Sequence, residues 1–589
     1  MNRKIAIALG GAALMTGAPA YADGLIENVN GITLDKDGRT IHFTGILIGD
    51  DGKVKQLLAG KERPATDTRN NKKRKKDQRE PTKPLTFTYD GKGRTLLPGF
   101  IDAHGHVTGL GFNAMMLDLS EASSLDDALA RIQAYAAKNP DNPWILGRGW
   151  NQEKWGLNRF PTAAELDRVT GGRPAWLVRV DGHAGWANSR AMQVAGVTAT
   201  TKEPAGGKID MAAGKPAGVF VDGAMALITK DVPQPAARDY DRALQEAQMI
   251  LLKNGITTAT DMGTTVADWN AYRRAGDLGL LRIRILSYAH EIDDMAVIGG
   301  PRPTPWLYND KLRMVGVKLY LDGALGSRGA WLKAPYSDAP GNSGLPLLSY
   351  SQLRNKLVRA SMDKFQVAIH AIGDKANDDV LEAIESVAGT YPDDRRWRVE
   401  HAQIVDPADI ARFGRHGTIA SMQPVHETSD RVMAETRLGA ARLAGAYAWR
   451  SIGASGARLA FGSDFPVESP NPLAGFAAAI SREDASGQPP GGWQPQEKVT
   501  REIALDGFTR TAAFAAFAED RLGILAPGMR ADFVILDVDP MQATPQQIWN
   551  GKVLETWIDG RPAWQAGRVT FPTPDAPSPA TPKPQGPGR

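Results

Sequence analysis

Short apolar segments alternate with helical periodicities from about residue 99 to residue 522. Helical stretches such as 352–363 and 376–389 separate segments that have the composition of buried strands and end in polar residues. These segments are PAWLVRV, ITTATD, RIRILSY, MVGVKLYL, QVAIHAI, WRVEHAQ, GTIASMQ and ARLAFGSD. Strands that alternate with helices predict an α/β protein with a parallel sheet. About eight such units predict a (β/α)8 TIM-type barrel over 99–522, with a doubly wound open sheet as the alternative.

The two ends of the chain have a different pattern. Residues 23–98 and 523–570 contain short apolar runs broken by turn residues, which predicts a small β-sandwich domain built from both chain ends. Residues of about 140–250 are rich in Gly, Trp and turn signals, which predicts an inserted subdomain near the barrel mouth. The basic segment 69–84 predicts a solvated loop or, alternatively, a patch for an anionic surface. The Pro-rich tail 571–589 is expected to be disordered.

The N-terminus has the three parts of a secretory signal in order. Arg3 and Lys4 precede an apolar run that is too short to span a bilayer, and Ala20-Tyr21-Ala22 is an A-x-A cleavage pattern. We therefore expect a signal peptide over 1–22, cut after Ala22, and a periplasmic or secreted protein without a transmembrane anchor. A buried N-terminal helix is the alternative.

Composition narrows the possible chemistry. The 589 residues carry a formal charge of +4, which gives no reason to expect nucleic acid as a partner. The chain has no cysteine, so disulfides, thiolate ligands and a cysteine nucleophile are excluded. A transition metal would have to be held by imidazole, carboxylate or a modified side chain.

Polar residues at strand ends supply such ligands. His104 and His106 stand at i and i+2, which places both side chains on one face of a strand. His370, His401 and Asp464 each follow another apolar segment. A lone buried histidine is more often structural, but this combination of imidazoles and a carboxylate is the set that zinc prefers.

Lys318 lies inside the apolar segment RMVGVKLYLDG. A buried, unpaired ammonium is costly, so the sequence leaves two interpretations. Lys318 is either paired with a neighbour such as Asp322, or it is neutral and carboxylated by CO2. Such a carbamate could bridge two metal ions.

These residues, in this order, resemble the amidohydrolase superfamily, and specifically its amidohydrolase 3 branch of YtcJ-like metal-dependent hydrolases. The resemblance covers nearly all of residues 85–562. The motifs that carry it are PGFIDAHGHV, VDGHAGWANSRAM, GVKLYLDGALGSRGAWL, AIHAIGDKAND, VEHAQIV, SMQPVHETSD, AYAWRSI, FGSDFPVESPNPLAGFAAAISR and DRLGILAPGMRADFVILD.

The resemblance implies a metal centre with one or two Zn²⁺ or other divalent ions. It implies that His104, His106 and Asp464 hold one metal, and that His370 and His401 hold a second. Lys318, as a carbamate, would bridge the two. Asp464 would also be the catalytic proton shuttle for a metal-activated hydroxide that cleaves a non-peptide C–N bond in a small amide, N-acyl or N-formyl amine.

Other motif residues are candidates for substrate contact or for shaping the site. The candidates for substrate contact are His183, Asp322, Arg328, His426 and Trp150. Ser327 could line the mouth, Asp374 could orient His370, and Trp155, Trp186 and Trp331 could join Trp150 in an apolar pocket. None of the motifs includes the remaining histidines, His42, His290 and His416.

Alternative functions stay open on the sequence. The same hydroxide attack serves an ester, a lactone or a cyclic amide, and a non-catalytic periplasmic binding protein on the same scaffold is a different class. Attachment to an anionic lipid or polymer through 69–84 ranks behind both, because charge elsewhere is balanced. A homo-oligomer is also left open.

Overall fold

The computed structural model describes residues 23–60, 62 and 85–568, apart from 153, 158, 181, 183, 205, 206 and 327. The predicted signal peptide, the basic segment 69–84 and the Pro-rich tail lie outside the described residues. No helix within the described ranges combines the length and the apolar character that crossing a membrane requires.

The described residues form 22 strands, numbered in chain order. They are β1 (Gly24–Leu34), β2 (Thr40–Ile48), β3 (Val54–Leu58), β4 (Phe87–Asp90), β5 (Thr95–Pro98), β6 (Phe100–Gly105), β7 (Leu117–Asp118), β8 (Ile145–Trp150), β9 (Ala175–Arg179), β10 (Ala184–Ala187), β11 (Gly207–Ala212), β12 (Lys215–Asp222), β13 (Ile256–Thr264), β14 (Arg284–Ala289), β15 (Leu312–Tyr320), β16 (Gln366–Ala371), β17 (Arg398–His401), β18 (Ile419–Met422), β19 (Arg458–Phe461), β20 (Phe533–Leu536), β21 (Val553–Ile558) and β22 (Arg561–Gln565).

The same parts of the chain contain 17 α-helices. They are α1 (Val107–Met115), α2 (Leu125–Lys138), α3 (Ala163–Asp167), α4 (Ser189–Val194), α5 (Ala226–Thr229), α6 (Ala237–Lys253), α7 (Val266–Asp277), α8 (Ile292–Gly299), α9 (Tyr350–Met362), α10 (Asp374–Ala388), α11 (Ile410–Arg415), α12 (Pro424–Leu438), α13 (Trp449–Ala454), α14 (Pro472–Ser481), α15 (Arg501–Gly507), α16 (Arg510–Ala515) and α17 (Pro545–Trp549).

Eight parallel strands form the predicted barrel, in the order β6-β13-β14-β15-β16-β17-β18-β19. Their central residues are buried and mostly apolar, because helices cover the outside while side chains fill the inside. The (β/α)8 prediction is confirmed, and the open-sheet alternative is wrong. All eight carboxyl ends meet at one face, where this architecture places its chemistry.

The barrel closes between its first strand and the segment after its last one. Gly105 and Phe465 form a parallel bridge, the amide of Asp464 donates to the carbonyl of His104 at 2.7 Å, and the amide of His106 donates to the carbonyl of Phe465 at 2.7 Å. A Cβ on Gly105 would lie 2.3 Å from the Phe465 ring, so only glycine permits this approach. Two predicted ligand segments are thereby held side by side.

Strands from both ends of the chain form one β-domain. Its hydrogen-bonded order is β22-β21-β20-β5-β1-β2-β3, with β4 paired to β1. The two ends meet where β5 and β20 pair in antiparallel register. This confirms that the domain is built from residues before and after the barrel.

A separate six-stranded sheet lies between β6 and β13 in the chain, in the order β11-β12-β10-β9-β8-β7. Its strands run from Leu117 to Asp222, whereas the sequence predicted an insert of about 140–250. The correction has two physical causes. The two-residue strand β7 is too short to give a periodic signal. At the other boundary, α6 belongs to the barrel layer: it packs so closely on α1 that a Cβ on Gly111 would lie 1.8 Å from the carbonyl oxygen of Ala243.

Arg284, on β14, fastens the barrel to the β-domain. Its fully buried guanidinium donates to Asp532 at 2.7 and 2.9 Å and to Asp559 at 2.6 Å. Asp532 precedes β20 and Asp559 follows β21, so one cation joins two turns of the β-domain to the base of a barrel strand.

We expect Arg284→Met to lower the free energy of unfolding by about 3–5 kcal/mol, because it leaves the buried carboxylate of Asp532 without its counterion. Urea denaturation followed by circular dichroism measures the change. Arg131→Met is the control, since its i,i+4 pair with Asp127 is partly exposed and is expected to contribute about 0.5 kcal/mol or less. A loss for Arg284→Met no larger than that of the control would show that the buried pair does not stabilise the junction.

Candidate metal centre

Six side chains that the sequence predicted as ligands converge at the carboxyl-terminal face of the barrel. His104 lies on β6, Lys318 on β15, His370 on β16 and His401 at the end of β17. His106 caps α1 just after β6, and Asp464 lies three residues beyond β19. They reach one place because they lie at, or follow, the ends of five parallel strands, with His104 and His106 both at the end of β6.

His104, His106 and Asp464 form the first group. Oδ1 of Asp464 lies 3.1 Å from Nε2 of His106 and 3.6 Å from Nε2 of His104. One donor atom from each residue lies within 4.8 Å of the other two. Two imidazole nitrogens and a carboxylate oxygen at this spacing can hold a divalent metal.

Lys318 lies beside this group. Its side chain is buried, and Nζ is 3.1 Å from Nε2 of His104 and 4.7 Å from the centre of the Tyr320 ring. Burial lowers the pKa of Lys318 to about 8, so the neutral amine that reacts with CO2 is far more accessible than in water. Asp322, which the sequence offered as its partner, instead accepts hydrogen bonds from the backbone amides of three other residues, Trp331, Ile372 and Gly373.

His370 and His401 lie next to the first group. The ring of His401 is 4.6 Å from the rings of both His104 and His370, centre to centre. His426, on α12, completes a second group of possible ligands with His401 and Asp464. Its Nε2 lies 3.8 Å from Oδ2 of Asp464. The sequence assigned His426 to substrate contact, whereas in the structure it lies among the possible metal ligands.

Burial sets the protonation of these groups. Burial, and then the charge of Lys318, lower the pKa of His104 to about 4 and that of His370 to about 3. Burial and the neighbouring His370 also hold the pKa of His401 well below its usual value. Burial alone would raise the pKa of Asp464, but the facing imidazoles lower it well below its usual value. Neutral imidazoles beside an ionised carboxylate are the protonation states that metal binding requires.

Two further observations fit a metal at this position. Asp464 Oδ1 and His426 Nε2 are buried, yet neither has a hydrogen-bond partner among the residues that the structure describes. Asp464 and His401 also adopt left-handed backbone angles, with φ of 59° and 75°. Such angles cost about 1–3 kcal/mol at a non-glycine residue and cluster at functional sites. The residues present therefore suit a divalent metal centre.

The other predicted contact residues have different surroundings. Trp150 is fully buried in the core of the inserted sheet, where its indole N–H donates to the carbonyl of Leu177 at 2.7 Å. Arg328 lies on the surface and donates to Asp338 at 2.8 Å. In this structure both side chains make structural contacts and do not face the six predicted metal ligands. His183 and Ser327 lie outside the described residues.

Asp374 and the tryptophans have contacts other than those that the sequence predicted. Asp374, predicted to orient His370, accepts from the backbone amide of Lys333 at 2.8 Å. The carboxylate nearest His370 is that of Asp322, whose Oδ1 lies 3.6 Å from Nε2.

The four tryptophans do not form one pocket. Trp150 and Trp186 pack together in the insert, the Trp155 N–H donates to the carbonyl of Ala122, and Trp331 belongs to the loop after β15.

Sequence reasoning missed several residues that contact the ligands. Glu400 approaches Nδ1 of His104 to 2.6 Å, Gln423 approaches Nδ1 of His401 to 2.8 Å, and Gln403 approaches Nδ1 of His426 to 3.1 Å. Glu400 gave a related signal, because it follows Arg398 at i+2 and therefore shares a face of β17 with a residue of opposite charge. Tyr320 gave a weaker one, since it follows Lys318 at i+2 and therefore shares its face of β15.

A (β/α)8 barrel with histidines, a lysine and an aspartate gathered at its carboxyl-terminal face defines a class of metal-dependent hydrolase. The sequence profile of the Amidohydrolase family matches residues 88–563, and the chain belongs to that family. The resemblance inferred from the motifs is thereby confirmed.

Individual relatives agree with this assignment over most of the chain. Protein LONG AFTER FAR-RED 3 of Arabidopsis thaliana is 35% identical over 494 residues, covering 81% of this chain and 83% of its own length. The N-substituted formamide deformylase of Arthrobacter pascens is 29% identical over 484 residues, covering 80% and 88%. An uncharacterized metal-dependent hydrolase of Pyrococcus horikoshii has a similar structure, with a TM-score of 0.73, 25% identity and coverage of 89% and 99%.

We expect Lys318→Ala to lose about one metal equivalent, because it removes the anionic bridge that the family resemblance implies for a carboxylated Lys318. Metal content after loading and gel filtration, measured by elemental analysis, tests this. Lys311→Ala is the matched control: Lys311 is also largely buried, but it precedes β15 at the opposite end of the strand. Full metal content in Lys318→Ala would refute the bridging role.

Proposed function

We propose that this protein hydrolyses a non-peptide C–N bond in a small N-acyl or N-formyl amine. The observation that carries the proposal is the convergence of His104, His106, His401 and Asp464, with Lys318, at one end of the barrel. The relative named for N-substituted formamide deformylation supports the choice of C–N bond.

In this proposal His104, His106 and Asp464 hold one Zn²⁺. His370 and His401 would hold a second ion, with His426 as a further candidate ligand, and Lys318, as a carbamate, would supply an anionic ligand to both. Bound zinc supplies Lewis-acid activation of water and of the scissile carbonyl. The protein keeps the imidazoles of His104, His370 and His401 neutral by burial, which lowers the pKa of each. Contacts with Glu400 and Gln423 hold the rings of His104 and His401 in place.

Asp464 is the residue we assign to proton transfer. It is ionised, it is 7% exposed, and its two oxygens face different histidines. Its carboxylate accepts a proton from the attacking water and later gives that proton to the departing amine. The hydroxyl of the water thus ends in the carboxylic acid product and its proton in the amine product. Asp464 ends ionised as it began.

Preorganisation favours this role. The amide of Asp464 is fixed by its hydrogen bond to the carbonyl of His104, and the left-handed backbone aims its side chain at the histidines. A proton carrier held in this way needs no reorganisation during the reaction.

We also infer that the protein is exported, on the ordered signal pattern of residues 1–22. N-terminal sequencing of the protein from the natural compartment is expected to begin at Asp23. Recovery of protein that still carries Met1 from the soluble cytoplasmic fraction alone would refute export.

We expect Asp464→Asn to retain most of its metal and to lose turnover by about 10²-fold or more, because an amide cannot carry the proton. The assay is hydrolysis, by zinc-loaded protein, of a panel of N-formyl amines, N-acyl amino acids, aryl esters and lactones. Metal content is measured on the same samples.

The panel also decides among substrate classes. Turnover of formamides or N-acyl amines above esters and lactones supports the C–N assignment, and the reverse order replaces it with ester or lactone hydrolysis. Tight binding of substrates without turnover would favour a binding protein instead. Unchanged turnover in Asp464→Asn would remove Asp464 from proton transfer.

A further inference from the structure

A buried chain of polar groups descends from His104 into the barrel. Oε2 of Glu400 lies 2.6 Å from Nδ1 of His104, and Arg398 donates to both oxygens of Glu400, at 2.7 and 3.1 Å. Below Arg398 lies Tyr288, whose hydroxyl is 3.3 Å from the guanidinium and donates to Gln366. The side chains of His104, Glu400 and Arg398 are inaccessible to solvent.

An ion pair in this position needs an explanation. The interior of a barrel is usually filled by layers of branched apolar side chains. Replacing a buried ion pair by apolar residues is often neutral or stabilising, so stability alone does not account for the pair.

Hydrogen-bond capacity shows what the pair does to His104. An ionised carboxylate accepts hydrogen bonds and cannot donate, so the proton between Glu400 and His104 belongs to Nδ1. Nε2 is then left with its lone pair, and it faces Nζ of Lys318 at 3.1 Å. Asp464 Oδ1, at 3.6 Å from Nε2, is too far away to hold a proton there.

Arg398 prevents Glu400 from changing its role. Arginine only donates, and its two contacts require both oxygens of Glu400 to remain acceptors. Arg398 also donates to the carbonyl of Ala103 at 2.8 Å and to the hydroxyl of Ser421 at 3.0 Å, so its own position is fixed by two other strands.

We propose that Glu400 and Arg398 form a positioning pair that fixes the proton of His104 on Nδ1 and keeps Nε2 free to bind metal. Glu400 supplies the acceptor, and Arg398 guarantees that it stays an acceptor. The inference rests on the proposed function in that it takes His104 as a metal ligand.

Two single variants disturb the pair in opposite ways. In Glu400→Gln one face of the amide presents N–H to Arg398, and two donors then oppose each other. In Arg398→Met the carboxylate loses both of the donors that require its oxygens to remain acceptors, and its orientation toward Nδ1 is no longer fixed. Each variant is expected to weaken Zn²⁺ binding about 10–100-fold.

The double variant Arg398→Met/Glu400→Gln gives the decisive comparison. Without Arg398 the glutamine oxygen is free to accept from Nδ1 of His104, as the carboxylate does. We expect the double variant to bind Zn²⁺ at least about fivefold more tightly than either single variant. Two independent packing defects would instead add their losses.

Tyr288→Phe is the matched control. It removes a hydroxyl from the same buried chain without touching His104 or Glu400. We expect a lower thermal midpoint of the metal-free protein and an unchanged Zn²⁺ affinity, the latter measured by competition with a chromophoric chelator. If the affinity falls as much in Tyr288→Phe as in Glu400→Gln, or if the double variant is the weakest binder, the proposal is wrong.

A measurement without metal separates this inference from the proposed function. Solid-state ¹⁵N NMR of histidine-labelled, metal-free protein, with the His104 signals assigned by difference from His104→Asn, reports which nitrogen carries the proton. We expect Nδ1–H in the natural sequence. Nε2–H would overturn the inference even if the protein binds zinc and hydrolyses formamides. A correct tautomer in a protein that binds no zinc would instead contradict only the metal centre.

Discussion

Closure of the barrel is the constraint on which the rest of the structure depends. Two backbone hydrogen bonds join β6 to the segment after β19, one between Asp464 and His104 and one between His106 and Phe465. The carboxylate of Asp102, just below, accepts from the amide and the hydroxyl of Ser463 and so joins the same two segments. The first metal group therefore exists only when the first and last strands of the barrel are in register.

Several features of the site make unfavourable contributions to the folding free energy, and the surrounding fold must offset them. Asp464 and His401 have strained backbone angles, and several ionisable side chains are removed from water. The offset comes from different sources. Apolar layers around the strands supply burial free energy, and paired charges such as Glu400 and Arg398 satisfy each other. Burial lowers the pKa of His104, His370 and His401, which keeps these three imidazoles neutral. The result is a rigid set of donors whose geometry is determined before a ligand arrives.

The sequence predicted those parts of the site that have a local signal. His104, His106, His370, His401 and Asp464 follow apolar segments, and a barrel brings such positions together whatever the details of packing. The barrel and the joining of both chain ends were predictable for the same reason, since the pattern of short strands and helices is itself local.

Side chains whose partners are distant in sequence have contacts that the sequence did not indicate. Trp150 packs in the insert, Arg328 pairs with Asp338, and His426 lies among the donors, and none of these positions follows from neighbouring residues alone. The boundary of the insert was missed because β7 has only two residues. Tertiary contacts, rather than periodicity, decide all of these features.

The charge of Lys318 links the fold to the chemistry. As an ammonium it lies 3.1 Å from Nε2 of His104, in the position from which it would repel an incoming divalent cation. As a carbamate it would carry the opposite charge and would join Asp464 as a second anion among neutral imidazoles. Carboxylation of Lys318, as the proposed function requires, would thus change the charge of the site by two units and would convert a place that opposes metal into one that attracts it. The apolar strand around Lys318 favours this change, because burial has already lowered the pKa of its amine to about 8.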